Sequence, residues 1–209
     1  MAKIKICGLF RPEDIDYAND ASPDYIGFVF APGRRHIDPS GATRFRGRLK
    51  EGIVPVGVFV NHPIDEIAAL FRDGIIGMAQ LHGNENAAYI RRLREDRGVP
   101  VIKAIRPDAI YAAKGDAGLA DYCLIDSGAG SGRAFDWNLL GAHSASLVPW
   151  FLAGGIGVEN IEAALSTGPY GIDVSSGAET DGVKDRDKMI TLVRAARTPV
   201  SKNSGTGSA

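Results

Sequence analysis

The feature that most constrains this chain is a regular alternation. Short runs rich in β-branched residues recur along it, and amphipathic stretches separate them. The runs at Lys3–Cys7, Asp24–Phe30, Pro55–Val60, Gly77–Leu81, Val99–Ala104, Asp121–Asp126, Val148–Ala153 and Tyr170–Val174 predict strands. The stretches at Arg11–Asn19, Pro39–Leu49, Ile64–Phe71, Asn84–Glu95, Asp108–Lys114, Asp136–Leu140, Val158–Ser166 and Asp185–Ala196 predict helices. Asp38 before Pro39 is a good N-cap, and Pro63 stands where a helix start tolerates proline. Strands that alternate with helices pair in parallel through right-handed crossovers. Eight such units predict a single-domain (β/α)8 barrel over residues 1–200. An open doubly wound sheet is the alternative, usually built from fewer units. With 209 residues the loops of a barrel must be short. Residues 201–209 are small and polar and read as a disordered tail.

Composition narrows the classes of partner. Hydrophobic residues make up 44% and charged residues 23%, a balance ordinary for a soluble domain. A net charge of -1 argues for no nucleic acid and no membrane surface as a partner. No apolar run approaches the roughly 18 residues that a membrane span needs. The first strand begins at once, with no apolar signal core before it. Cys7 and Cys123 are too few for a disulfide framework and read as reduced thiols, so a cytoplasmic location is expected. A monomer and a homodimer both fit this composition.

On a (β/α)8 barrel the chemistry lies at the C-terminal ends of the strands. The first strand ends in Cys7-Gly8. A thiol there can act as a general base if it ionises, or it can be a small buried hydrophobe. The loop after the second strand carries Arg34 and Arg35, able to clamp a carboxylate in two-pronged fashion. The fourth strand ends in Gln80-Leu81-His82-Gly83, where His82 is either a site group or a helix cap. The sixth ends in Asp126, which an apolar strand tolerates only if it is hydrogen-bonded or used. It is read as a general acid or base, with a loop-capping carboxylate as the other reading. The glycine-rich stretch Gly128–Gly132 lacks the full G-x-G-x-x-G pattern and reads as a mobile loop over the site. Gly154-Gly155 after the seventh strand and Ser175-Ser176-Gly177 after the eighth stand where such barrels bind phosphate, on close backbone N–H groups and a helix N-terminus. Asp173, at the end of the eighth strand, is placed to bond a sugar hydroxyl. No spaced set of His and Cys suggests a metal.

Several segments together resemble one family, phosphoribosylanthranilate isomerase. They are Lys5-Ile6-Cys7-Gly8, Gly27-Phe28-Val29-Phe30, Val56-Gly57-Val58-Phe59-Val60, Gln80-Leu81-His82-Gly83, Leu124-Ile125-Asp126, Gly132 to Trp137, Gly154-Gly155-Ile156, and Asp173 to Gly177 with Glu179. The resemblance implies an Amadori rearrangement of a phosphosugar-anthranilate in tryptophan biosynthesis, without a cofactor or metal. It implies that Cys7 is the base, Asp126 the acid, Arg35 a substrate contact, and the two glycine loops the phosphate site. Gln80, His82 and Asp173 complete the expected substrate site. Gly33 stands where the family usually has serine, Phe10 where it often has threonine, and Val158 where it commonly has proline. The related histidine-pathway isomerase would place an aspartate where Cys7 stands, and an indole-forming synthase a lysine. A non-catalytic phosphosugar sensor could dispense with Cys7 and Asp126, and a redox role would call for a closer pair than Cys7 and Cys123.

Overall fold

The computed structural model describes residues 1–109, 118–126, 137 and 148–199. Its eight strands form a closed, all-parallel barrel in sequence order. They are β1 (Lys3–Cys7), β2 (Tyr25–Val29), β3 (Val54–Phe59), β4 (Met78–Leu81), β5 (Val101–Ile105), β6 (Tyr122–Ile125), β7 (Trp150–Leu152) and β8 (Gly171–Val174). The ring closes where β8 pairs with β1, Lys5 lying opposite Asp173. The outer layer holds α1 (Pro12–Ala21), α2 (Pro39–Arg46), α3 (Ile64–Arg72), α4 (Ala87–Arg91), α5 (Ile161–Ser166) and α6 (Arg186–Arg197). No helix among the described residues is long and apolar enough to cross a membrane.

Each boundary has a local cause. Asp38 caps α2 as expected, its side chain accepting from Gly41 N. The expected helix from Asn84 starts later, because Asn86 accepts from Tyr89 N and so becomes the cap of α4. That helix then widens into a π-turn at Arg92–Asp96. The expected helix from Val158 begins at Ile161, because Asn160 spends its side chain on the loop before it. Of the expected Asp108–Lys114 helix, a short 3-10 turn at Pro107–Ala109 is described. The rest of it, the Asp136–Leu140 helix apart from Trp137, the Gly128–Gly132 loop and the 201–209 tail lie outside the described residues.

Strand side chains divide the core in two. Ile4, Ile6, Phe28, Phe59, Leu81 and Ile125 face outward against helix residues such as Ile15, Phe45, Ile67 and Leu192. Tyr25, Val56, Met78, Ile102, Leu124 and Phe151 fill the barrel. At its N-terminal end, Phe151 is ringed by Tyr25, Tyr122 and Tyr170 at centroid distances of 5.6, 5.7 and 5.4 Å. The Tyr25 and Tyr170 hydroxyls meet at 3.2 Å. This plug closes the floor and leaves the polar interior at the other end.

Candidate active site

The period-2 alternation of β1 that sends Ile4 and Ile6 outward turns Lys5 and Cys7 inward. Cys7 lies opposite Gly27 of β2. A Cβ on Gly27 would come within 2.6 Å of Cys7 Sγ, so the glycine gives the thiol its room. Lys5 is fully buried, and its ammonium reaches Asp173 Oδ1 at 2.9 Å across the seam. Burial pushes the Cys7 thiol up, while the Lys5 charge opposes it and Asp173 adds to it. The balance stays above the ordinary thiol value. Burial also disfavours the Lys5 ammonium, but the charges of Asp173 and Cys7 outweigh that and hold its pKa up.

Asp126 follows β6 directly at the same rim. His82, just past β4, places Nε2 at 3.5 Å from Asp126 Oδ2. Its Nδ1 meets Gln80 Nε2 at 3.1 Å. Burial lowers the His82 pKa below the usual imidazole value, against the pull of Asp126 and Asp173. His82, Asp126, Ala104 and Arg106 line a cavity of about 270 Å³ beside these groups.

The loops after β7 and β8 lie against each other. Gly157 and Gly177 form a parallel bridge, and a Cβ on Gly177 would fall 2.0 Å from Ile156 O. Gly154 and Gly155 take positive φ, 92° and 65°. Asn160 pins the first loop by accepting from Gly157 N and donating to Gly155 O, both at 2.9 Å. Ser175 Oγ donates to Cys7 O at 3.2 Å, joining the second loop to the thiol's own backbone. No helix begins directly after β8. The chain turns at Ser175–Ala178 into a hairpin, β9 (Glu179–Thr180) and β10 (Val183–Lys184), before α6.

The two arginines do clamp a carboxylate, and it is the protein's own. Arg35 holds Glu179 through Nε at 2.7 Å and Nη2 at 2.9 Å, and Arg34 adds a contact at 2.8 Å. The Arg35 side chain crosses Gly8, next to Cys7, where a Cβ would lie 2.3 Å from its Cδ. Lys184 binds Glu179 Oε1 at 2.8 Å and Ser175 O at 2.9 Å. Burial pushes the Glu179 carboxyl up, but Arg35 and then Lys184 and Arg34 outweigh it and bring it to about 2. Lys184 and Asn160 are the site residues that motif reading did not supply. A signal for the first was present in Asp181-Gly182, a hairpin dipeptide. Both residues have positive φ, as a type I′ turn requires. Cys123 faces away from the site, fully buried, its thiol pushed up to about 12 by burial.

A closed parallel barrel with a thiol and a carboxyl at one rim and paired glycine loops beside them belongs to the class of (β/α)8-barrel proteins, whose active sites lie at that C-terminal rim. The comparisons narrow that class. The family model for N-(5'-phosphoribosyl)anthranilate (PRA) isomerase matches residues 4–195, and the chain belongs to that family. It is 49% identical over 204 residues to the N-(5'-phosphoribosyl)anthranilate isomerase of Endomicrobium trichonymphae, covering 94% of this chain and 99% of that one. The solved structure of the Thermotoga maritima phosphoribosylanthranilate isomerase in monomeric form matches with a TM-score of 0.83 and 31% identity, covering 94% of this chain and 98% of that one. Another solved phosphoribosyl anthranilate isomerase holds reduced 1-(o-carboxyphenylamino)-1-deoxyribulose 5-phosphate. It matches with a TM-score of 0.80 and 30% identity, over 94% and 98% of the two chains.

Proposed function

We propose that Cys7 and Asp126 are the base and the acid of the reaction this family catalyses, with the β7 and β8 loops holding the phosphate. The reaction is the Amadori rearrangement of N-(5-phosphoribosyl)anthranilate to 1-(2-carboxyphenylamino)-1-deoxyribulose 5-phosphate in tryptophan biosynthesis. Asp126 gives a proton to the furanose ring oxygen, and the C1′–O bond opens to an iminium. Cys7 then takes the C2′ proton, and the resulting enolamine tautomerises to the ketone. General acid and general base each contribute roughly 10²–10⁴-fold.

One observation carries the assignment: the hydrogen bond from Ser175 Oγ to Cys7 O. A phosphate seated on the Ser175–Gly177 loop sets the sugar at a fixed offset from the thiol. Binding energy from the non-reacting end then becomes orientation at C2′. The raised thiol holds its proton at neutral pH. The iminium formed in the first step supplies a positive charge that favours the thiolate. Arg35, already beside Cys7, is the cation nearest to a substrate carboxylate in this reading, and Glu179 keeps it aimed there. Asp173, paired with Lys5, serves the thiol's surroundings as well as a sugar hydroxyl. The free thiols fit a reducing compartment, and we place the enzyme in the cytoplasm.

Cys7→Ser should lower kcat by at least about 10²-fold and leave KM nearly unchanged, followed by decay of the anthranilate substrate's fluorescence. Turnover near that of the unaltered enzyme would remove the base from Cys7. Asp126→Asn tests the acid in the same assay, and an unchanged rate at neutral pH would dispose of it.

A further inference from the structure

The polar chain Gln80–His82–Asp126 runs from β4 past β5 to the end of β6, and its donors and acceptors can be assigned. Asp126 as the acid gives its proton to the substrate and not to His82, so toward His82 its Oδ2 accepts, and the nitrogen facing it, Nε2, carries the proton. Burial, helped by the charges of Lys5 and Lys103, favours the neutral ring over the pull of Asp126 and Asp173. A neutral ring protonated at Nε2 has a lone pair at Nδ1. The partner at Nδ1 must therefore donate, and Gln80 presents its amide nitrogen there at 3.1 Å. Gln80 is 1% exposed, and its Oε1 has no hydrogen-bond partner among the described residues. A buried acceptor left unmet costs about 1–3 kcal/mol. The bond to His82 is thus what orients this amide. Turning it over would set the His82 lone pair against Asp126 Oδ2.

The rest of the turn is fixed from outside the barrel. Glu85 accepts from Gly83 N at 2.9 Å and Asn61 N at 2.6 Å, and Lys103 holds Gly83 O at 2.7 Å and Glu85 Oε2 at 2.9 Å. His82 is thereby held at both its backbone neighbour and its ring.

We propose that Gln80 is a positioning residue: its NH₂ fixes His82 as the Nε2–H tautomer, and that N–H orients the Asp126 carboxyl for proton transfer. The proposal rests on the assignment of Asp126 as the acid. Its first step can be read without turnover. In protein labelled with ¹⁵N-histidine, long-range ¹H–¹⁵N correlation above neutral pH should show His82 protonated at Nε2. Gln80→Glu puts an acceptor at Nδ1, so the proton should move to Nδ1 and kcat should fall by about 10²-fold, with KM little changed. Gln80→Met, which leaves Nδ1 unmet, should give a mixture of tautomers and a smaller loss, and it serves if Gln80→Glu does not fold. An Nδ1–H ring in the unaltered protein, or an unmoved proton and full kcat in both variants, overturns the proposal. A merely structural role for Gln80 predicts lower stability with the tautomer unchanged. Full activity in Asp126→Asn would instead sink the acid assignment, and the orienting role with it, while the spectra would still report the tautomer.

Discussion

The charges around Cys7 are where single residues decide most. Lys5 is fully buried and its partner Asp173 nearly so. Removing one member of a buried pair leaves the other uncompensated, typically at about 3–5 kcal/mol. Lys5→Met should cost stability of that order by urea unfolding. It should also push the thiol higher, so that alkylation of Cys7 and the acid limb of kcat/KM both move to higher pH. A limb that stays in place would mean that Lys5 does not act on the thiol. Glu179 makes a prediction of opposite sense. Its folded value, about 2, lies below the ordinary 4.5, so its contribution to stability is present above about pH 4.5 and is lost as pH falls toward 2. Glu179→Gln should be clearly less stable than the parent at neutral pH. The gap should close in acid, which urea midpoints on both sides of that window would measure. The places of Cys7, Asp126 and Arg35 at one rim were legible because motif and fold point there together. Lys184 was not, since a lone lysine in a polar stretch looks like any solvated charge until Glu179 and Ser175 are seen to enclose it.

At the scale of elements, the β7 and β8 loops act as one piece through the Gly157–Gly177 bridge. Gly177→Ala would drive a methyl into Ile156 O, and the loops must separate. The expected outcome is a raised KM for substrate and weaker inhibition by inorganic phosphate, with kcat reduced much less. A loss confined to kcat would argue that the loops do not hold the phosphate. The strand order and the rim were readable because period-2 runs between amphipathic stretches leave few topologies. Helix starts were less so: Asn86 and Asn160 each chose between continuing a helix and spending a side chain on the backbone, a choice made by neighbours distant in sequence. The two-residue strands of the β9–β10 hairpin are too short to show a period, and only the Asp181-Gly182 turn betrays them.

For the whole molecule, the barrel separates what stabilises from what reacts. The aromatic plug around Phe151 fills the N-terminal end, and Cys7, His82 and Asp126 stand at the C-terminal end. Phe151→Ala should cost about 3–5 kcal/mol in unfolding free energy and leave KM and the pH dependence of kcat near those of the parent. A change in the pH profile would show that the two ends are coupled. The same geometry orders events in time. The cations and carboxylates around Cys7 come from both edges of the seam, Lys5 and Arg35 from the start of the chain, Asp173, Glu179 and Lys184 from near its end. A nascent chain on the ribosome therefore carries Cys7 as an ordinary thiol through most of its synthesis. Its setting is complete only when residues 173–184 emerge and the ring shuts, so the proposed base matures last although it is among the first residues made.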